Sequence, residues 1–233
     1  MEETLRIVTV PALDAVPGLV HGFERRRGGT FEETREAGRA RVAAALAASG
    51  RLHLLRQVHG ADVRTAPWEG TPDADASVAA APGILLGIET ADCLPVLIAD
   101  PVRRAVGAAH AGWRGTVAHV APAAVAAMVA QGSRPADLVA ALGPSIGACC
   151  YEVGSDVEDA FGPEGARFFR PGPRGRAHVD VRAANRAQLV AAGLGDEAIH
   201  DVTDCTFCTP GYFSYRRDGK GAGRMLNFAG WRL

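Results

Sequence analysis

Two residues able to do chemistry stand at the two ends of one predicted hairpin. Cys93 precedes the apolar run Leu94–Ala99, and His110 follows the run Ala105–Ala109, with Asp100-Pro101 as the turn between them. Short apolar runs split by such a turn read as paired buried strands. The open end of the hairpin then brings Cys93 and His110 together. A second histidine, His59, follows the predicted strand 52–58 and precedes Gly60. A thiol beside imidazoles can hold a metal ion or act as a nucleophile with its base. Two histidines on one cysteine favour the metal, since a dyad needs one base. Zinc accepts imidazole nitrogen and thiolate sulfur, and a catalytic site keeps three protein ligands and an open position. His59 is a possible third donor beside Cys93 and His110, and copper could occupy such donors adventitiously. Their separations match no short metal motif.

Asp92 precedes the cysteine and reads either as an acid–base group or as the carboxylate that orients a ligand histidine. Arg26, Arg114 and Arg217 each sit in an arginine-bearing motif, and arginine is the natural clamp for phosphate. Four further cysteines, Cys149, Cys150, Cys205 and Cys208, are expected to pack or remain local thiols, although Cys205-x-x-Cys208 could also chelate or cycle redox. Adjacent cysteines do not easily face one ion, and no second ligand pair completes a structural zinc site around Cys205-x-x-Cys208.

Those side chains need a scaffold. The chain has 233 residues, enough for one large domain or two small ones. A net charge of −1 gives no reason to expect nucleic acid or an acidic membrane as partner. No apolar run approaches the roughly 20 residues of a membrane span, and the acidic N-terminus lacks a signal-peptide layout, so the cytoplasm is the expected compartment. Predicted strands cover 5–10, 19–23, 52–58, 61–66, 84–88, 138–142, 179–181, 199–202 and 224–232 beside the central hairpin. Predicted helices cover 34–49, 117–131, 155–161 and 182–192. Ser155 and Glu158 form a capping-box pattern, and Asp180 is a plausible N-cap. Residues 68–82 read as loop and 162–176 as a surface excursion. Strands outnumber helices, and hairpins mix with crossovers, which favours an α+β fold with mixed sheets.

Taken together, the motifs resemble one family: the purine nucleoside phosphorylases once labelled multicopper polyphenol oxidase or laccase-domain proteins, which include bacterial peptidoglycan editing factors. The matching segments are Gln57-Val58-His59-Gly60, Thr90-Ala91-Asp92-Cys93-Leu94-Pro95 and Ala109-His110-Ala111-Gly112-Trp113-Arg114-Gly115. Gly143-Pro144-Ser145-Ile146-Gly147, Tyr151-Glu152-Val153-Gly154, Asn185 with Gln188, Cys205-Thr206 and Phe213-Ser214-Tyr215-Arg216-Arg217-Asp218 follow in order. The resemblance implies a single catalytic α+β domain over residues 1–233, with layered mixed sheets flanked by helices. It implies zinc on His59, Cys93 and His110, phosphorolysis of adenosine, inosine and methylthioadenosine, and accompanying adenosine deamination. Purine nucleosides and phosphate would be the partners. Between Gly29 and Gly50 the chain lacks that family's Ser-Leu-Asn-Leu stretch and the Gly-Asp-Asp after it, so the loop there is shortened or rebuilt.

Three rival functions stay in view. A multicopper oxidase needs about ten histidines in clustered His-x-His pairs; this chain has seven and no such pair. An amide hydrolase editing a cell-wall precursor would use Cys93 as nucleophile or a metal-activated water. A binding protein without turnover would not need Cys93 or His110.

Overall fold

The central hairpin forms because nothing in it tolerates water. Leu94–Asp100 and Ala105–Ala111 are buried along their whole length and pair antiparallel, with Leu94 opposite Ala111 and Pro95 opposite His110. A computed structural model describes residues 6–25, 35–173 and 175–233. Arg26 therefore lies outside the described residues, as does the start of the rebuilt loop.

Among the described residues the strands are β1 (Arg6–Val8), β2 (Leu19–Arg25), β3 (Arg51–Leu54), β4 (Val63–Thr65), β5 (Ala76–Ala79), β6 (Ile84–Thr90) and β7 (Leu94–Asp100). They continue with β8 (Ala105–Ala111), β9 (Val139–Leu142), β10 (Phe169–Pro171), β11 (Ala177–Val179), β12 (Ile199–Asp201) and β13 (Met225–Trp231). The helices are α1 (Pro11–Asp14), α2 (Arg35–Leu46), α3 (Trp113–Val117), α4 (Val120–Ala130), α5 (Ser155–Gly165), α6 (Val181–Ala191) and α7 (Tyr215–Asp218). Two mixed sheets dominate, in the orders β1-β2-β13-β6-β3 and β12-β9-β7-β8-β5-β4, with β10 and β11 as a separate ribbon. This is the α+β class with mixed sheets that the element order predicts.

Side-chain alternation sorts the layers. Leu97 and Ala99 of β7, with Val106 and Ala108 of β8, meet Phe23, Leu86, Ile88, Ala229 and Trp231 of the five-stranded sheet. The alternate residues Leu94, Val96, Ile98 and Ala109 face Val120, Ala124, Val125 and Met128 of α4 and Leu189 of α6. Val42 and Leu46 of α2 cover the outer face of the five-stranded sheet at Leu85, Leu226 and Phe228. The result is four layers: helices, sheet, sheet, helix. Truncating a buried leucine in such layers to alanine costs about 2–5 kcal/mol.

Four local expectations need correction. The segment 68–82 contains β5, a fully buried strand; its small residues Ala76, Ser77 and Ala79 weaken the strand signal but fit between close neighbours. The helix expected over 117–131 starts at Trp113 and breaks at His119, which adopts φ 60°, so that it is two helices. No capping box closes the start of α5, because Gly154 is its N-cap and makes no side-chain cap bond. Pro11–Asp14 is a helical turn inside what reads as a breaker region. Asp180 does cap α6, accepting the Ala183 N–H at 2.9 Å. No helix among the described residues is long and apolar enough to cross a membrane.

Candidate active site

The site lies where the chain passes between the two sheets. β6 belongs to the five-stranded sheet and β7 to the six-stranded one, and Ala91-Asp92-Cys93 make the crossing. Asp92 takes φ 89° to do so. The segment between β3 and β4 crosses in the same direction and carries His59, at φ 65°. His110 is near the end of β8, in the side-chain row of Val106 and Ala108 that faces the other sheet. Three segments far apart in sequence thus end at one rim of the sandwich.

The structure brings His59, Cys93 and His110 together: their ligand atoms all fall within 4.8 Å of one another. The two imidazoles meet edge to face, with ring centroids 4.9 Å apart. Gly112 stands opposite Cys93 at the hairpin's open end, and a Cβ there would lie 2.8 Å from Cys93 Sγ. Only glycine leaves the sulfur its place. A Gly112→Ala substitution is therefore expected to lower metal affinity at least tenfold with little change in thermal midpoint, measured by chelator competition and calorimetry.

A buried carboxylate that the sequence reading passed over organises the cluster. Asp75 is fully buried; its Oδ1 lies 2.8 Å from His110 Nδ1. Its Oδ2 accepts the backbone N–H groups of Val58 at 3.0 Å and Gly60 at 2.7 Å, the two neighbours of His59. One carboxylate thus positions two of the three candidate ligands. Burial disfavours its charge, but the His110 bond and the two N–H donors prevail and hold its pKa below the ordinary carboxylate value. The available signal was the alternation Asp75-Ala76-Ser77-Val78-Ala79, with Asp75, Ser77 and Ala79 on one face.

Asp92 does not orient a ligand histidine. Its carboxylate is taken by the Thr206 hydroxyl at 2.6 Å and the Arg216 backbone N–H at 2.7 Å. It lines the cavity and pins two distant loops to its rim. Gln57 holds the His59 loop to β6 by a reciprocal pair with the Glu89 backbone, at 2.8 and 2.9 Å. Asn185 and Gln188 reach Thr116 at the end of α3, at 2.8 and 2.9 Å, and so fix the short helix that begins with Trp113 and Arg114.

Around the cluster is a cavity of about 420 Å³, walled by Trp113, Tyr151 and Tyr215 and edged by Arg114, Arg216 and Arg224. The Arg114 guanidinium stacks on Trp113 at 4.2 Å from the ring centroid. Arg217 is outside the lining: its guanidinium binds Asp218 and the carbonyls of Thr206, Phe207 and Tyr212. It braces the loop from within. Its neighbour Arg216 lines the cavity instead, since adjacent helical residues point about 100° apart.

Burial of Cys93 and His110 opposes charge on both, yet each stabilises the other. The His110 and His59 rings bring the Cys93 thiol down to about 6. The Cys93 sulfur and Asp75 raise His110 to about 9. Their mutual support favours the thiolate–imidazolium form of the pair. Two imidazoles and a thiolate, with His110 Nδ1 held by Asp75, suit a tetrahedral divalent ion with one position open.

A family model described as "Multi-copper polyphenol oxidoreductase laccase" matches residues 28–232. The chain belongs to this family. A curated protein from Deinococcus radiodurans named "Purine nucleoside phosphorylase" is 45% identical over 190 residues, covering 80% of this chain and 73% of that protein. "Adenosine deaminase RL5", from an unknown prokaryotic organism, is 42% identical over 172 residues, covering 71% of this chain and 64% of that one. The crystal structure of Neisseria meningitidis protein NMB0706 superposes with a TM-score of 0.85 at 34% identity, covering 98% of this chain and 99% of that one. The family's relatives are thus named for two enzyme activities on purine nucleosides. Despite the family's descriptive label, the chain's seven histidines include no His-x-His pair.

Proposed function

We propose that this protein is a zinc-dependent purine nucleoside phosphorylase acting on adenosine, inosine and methylthioadenosine, with adenosine deamination at the same site. The observation that carries the reading is the convergence of His59, Cys93 and His110 in a cavity also lined by aromatic side chains and arginines. Trp113, Tyr151 and Tyr215 offer ring faces to a purine. Burial first, then the Cys93 charge, pushes the Tyr151 phenol well above its usual range, so it stays a hydrogen-bond donor at neutral pH.

Phosphorolysis forms a bond from a phosphate oxygen to ribose C1′ and breaks the bond from C1′ to the purine nitrogen, which leaves with a proton. Arg114 and Arg216, which line the cavity, would hold the phosphate against C1′. No carboxylate pairs with Arg114 among the described residues, which leaves its fork for a ligand. Arg216 is fixed through its backbone N–H on Asp92 and through Nη1 on the Glu152 carbonyl at 2.8 Å. Zinc, when bound, supplies a Lewis acid in the cavity. Deamination replaces the 6-amino group with a water oxygen and releases ammonia.

Incubation with adenosine, with and without phosphate, tests the reading. Adenine and ribose 1-phosphate are expected only with phosphate, and inosine is expected in both. Neither product in either reaction overturns it. Arg114→Met is expected to raise KM for phosphate about tenfold or more, roughly 1.4 kcal/mol, while adenosine deamination without phosphate changes little. Equal loss of both activities would show that Arg114 holds the nucleoside. The thiolate–imidazolium pair favours one second reading, an amide hydrolase with Cys93 as nucleophile; its mark would be activity on an amide that survives removal of metal.

A further inference from the structure

Four of the five cysteines lie outside that site, and they converge on one point of their own. The chain reaches it twice. A turn after β9 carries Cys149 and Cys150 and is closed by the Cys150 and Tyr151 N–H groups, which donate to the Gly147 carbonyl at 2.9 and 3.0 Å. The turn Cys205-Thr206-Phe207-Cys208 follows β12, and the Thr206 N–H donates to the Ser145 carbonyl at 3.1 Å, which sets the two turns side by side. All four sulfurs fall within 4.8 Å of one another. Cys208 Sγ is 3.0 Å from Cys150 Sγ and 3.8 Å from Cys149 Sγ. A tetrahedron of thiolates at a zinc–sulfur distance of about 2.3 Å has edges of about 3.8 Å. The sequence reading expected adjacent cysteines to diverge; the turn at Gly147 lets both sulfurs face Cys208.

A second observation points to a ligand. Cys205 Sγ accepts the backbone N–H of Gly147 at 3.2 Å. A neutral thiol is a weak acceptor, so a backbone N–H aimed at it suits a sulfur that carries charge. Arg216 borders the same depression and offers positive charge beside it. A disulfide would join only two of the four sulfurs that meet there.

We infer that Cys149, Cys150, Cys205 and Cys208 form a second metal centre, a four-thiolate site for zinc that clamps these two turns together. Four protein ligands leave no open position, so the centre is structural. Its reach extends to the catalytic cavity: Ile146 and Tyr151 flank the first turn and line the cavity. Thr206, inside the second turn, donates to Asp92 beside Cys93. The clamp holds the wall on which a purine would rest.

Zinc counting tests this independently of the catalytic reading. The whole chain, purified under reducing conditions without chelators, is loaded with zinc, desalted and analysed for metal. Expected contents are about two zinc ions per chain for the wild type and about one for Cys93→Ser. Combining Cys93→Ser with Cys205→Ser and Cys208→Ser should leave about none. Cobalt(II) loaded into the Cys93→Ser protein should show sulfur-to-cobalt charge transfer and intense tetrahedral visible bands. That spectrum reports the ligands even if the triple variant fails to fold. A Cys93→Ser protein that binds no zinc and lacks these bands overturns the inference. So does peptide mapping of the metal-loaded protein that finds Cys150 joined to Cys208.

Discussion

Cys93→Ser is expected to lower kcat/KM for adenosine phosphorolysis by about 10³-fold or more, equivalent to roughly 4 kcal/mol of transition-state stabilisation. The expectation follows from what the sulfur does. It is the one anionic donor of the cluster, and its sulfur lies within 4.8 Å of a ring nitrogen of both His59 and His110. Serine has nearly the same shape, so the fold should survive; a hydroxyl is not ionised at neutral pH and binds zinc poorly. The charge itself has a pH signature. Because the Cys93 thiol is lowered to about 6, its thiolate persists above that pH and is lost as pH falls through it. Site-resolved alkylation of metal-free protein should therefore rise near pH 6 at Cys93, against about 8.5 for an ordinary thiol. Zinc should suppress the alkylation. A Cys93 that alkylates only near pH 8.5, or a serine variant with full activity, would remove the thiolate from the mechanism.

The pairing of Cys93 with His110 was legible because one hairpin enforces it. Two buried runs and an Asp-Pro turn fix a register in which residue 93 must stand at the open end beside residues 110–112. His59 was legible for a related reason, since it ends the segment that follows a strand. Asp75 was not: it precedes a four-residue strand in which two alanines and a serine leave only Val78 as a strand former. Only the neighbours β4 and β8, which bury it from both sides, make it one. The arginines failed for another reason. Residue type names a phosphate clamp, but neighbouring positions on one turn point about 100° apart, and Arg216 took the place expected of Arg217. Asp92 was read as a histidine orienter by adjacency in sequence, whereas its carboxylate turns to Thr206 and Arg216. The four remaining cysteines meet only because two distant turns pack together, a tertiary fact without a local sign.

Asp75→Asn should carry the second-largest effect, because one buried carboxylate answers three donors. Val58 N–H and Gly60 N–H share Oδ2, and His110 Nδ1 meets Oδ1. An asparagine keeps the shape but can accept on only one of its two terminal atoms. If its oxygen stays with the two backbone N–H groups, its NH₂ faces His110 Nδ1. That stabilises the tautomer whose proton sits on Nε2, the nitrogen needed by a metal. If the amide flips, the His59 loop loses its anchor and two N–H groups are left unsatisfied, at about 1–3 kcal/mol each. Either outcome damages the metal cluster, and the first damages it without unfolding the chain. The expected result is a 10–100-fold loss of metal affinity and a comparable loss of turnover at limiting zinc, restored in part by excess zinc. The acid side of the stability profile supplies an independent check. A carboxylate held below its ordinary pKa contributes stability at neutral pH and loses it as pH falls through the native value. The wild type should therefore lose more stability than Asp75→Asn between pH 7 and acid conditions, and the two denaturation midpoints should approach each other. Parallel midpoints across that range, with unchanged zinc affinity, would show that Asp75 only fills space.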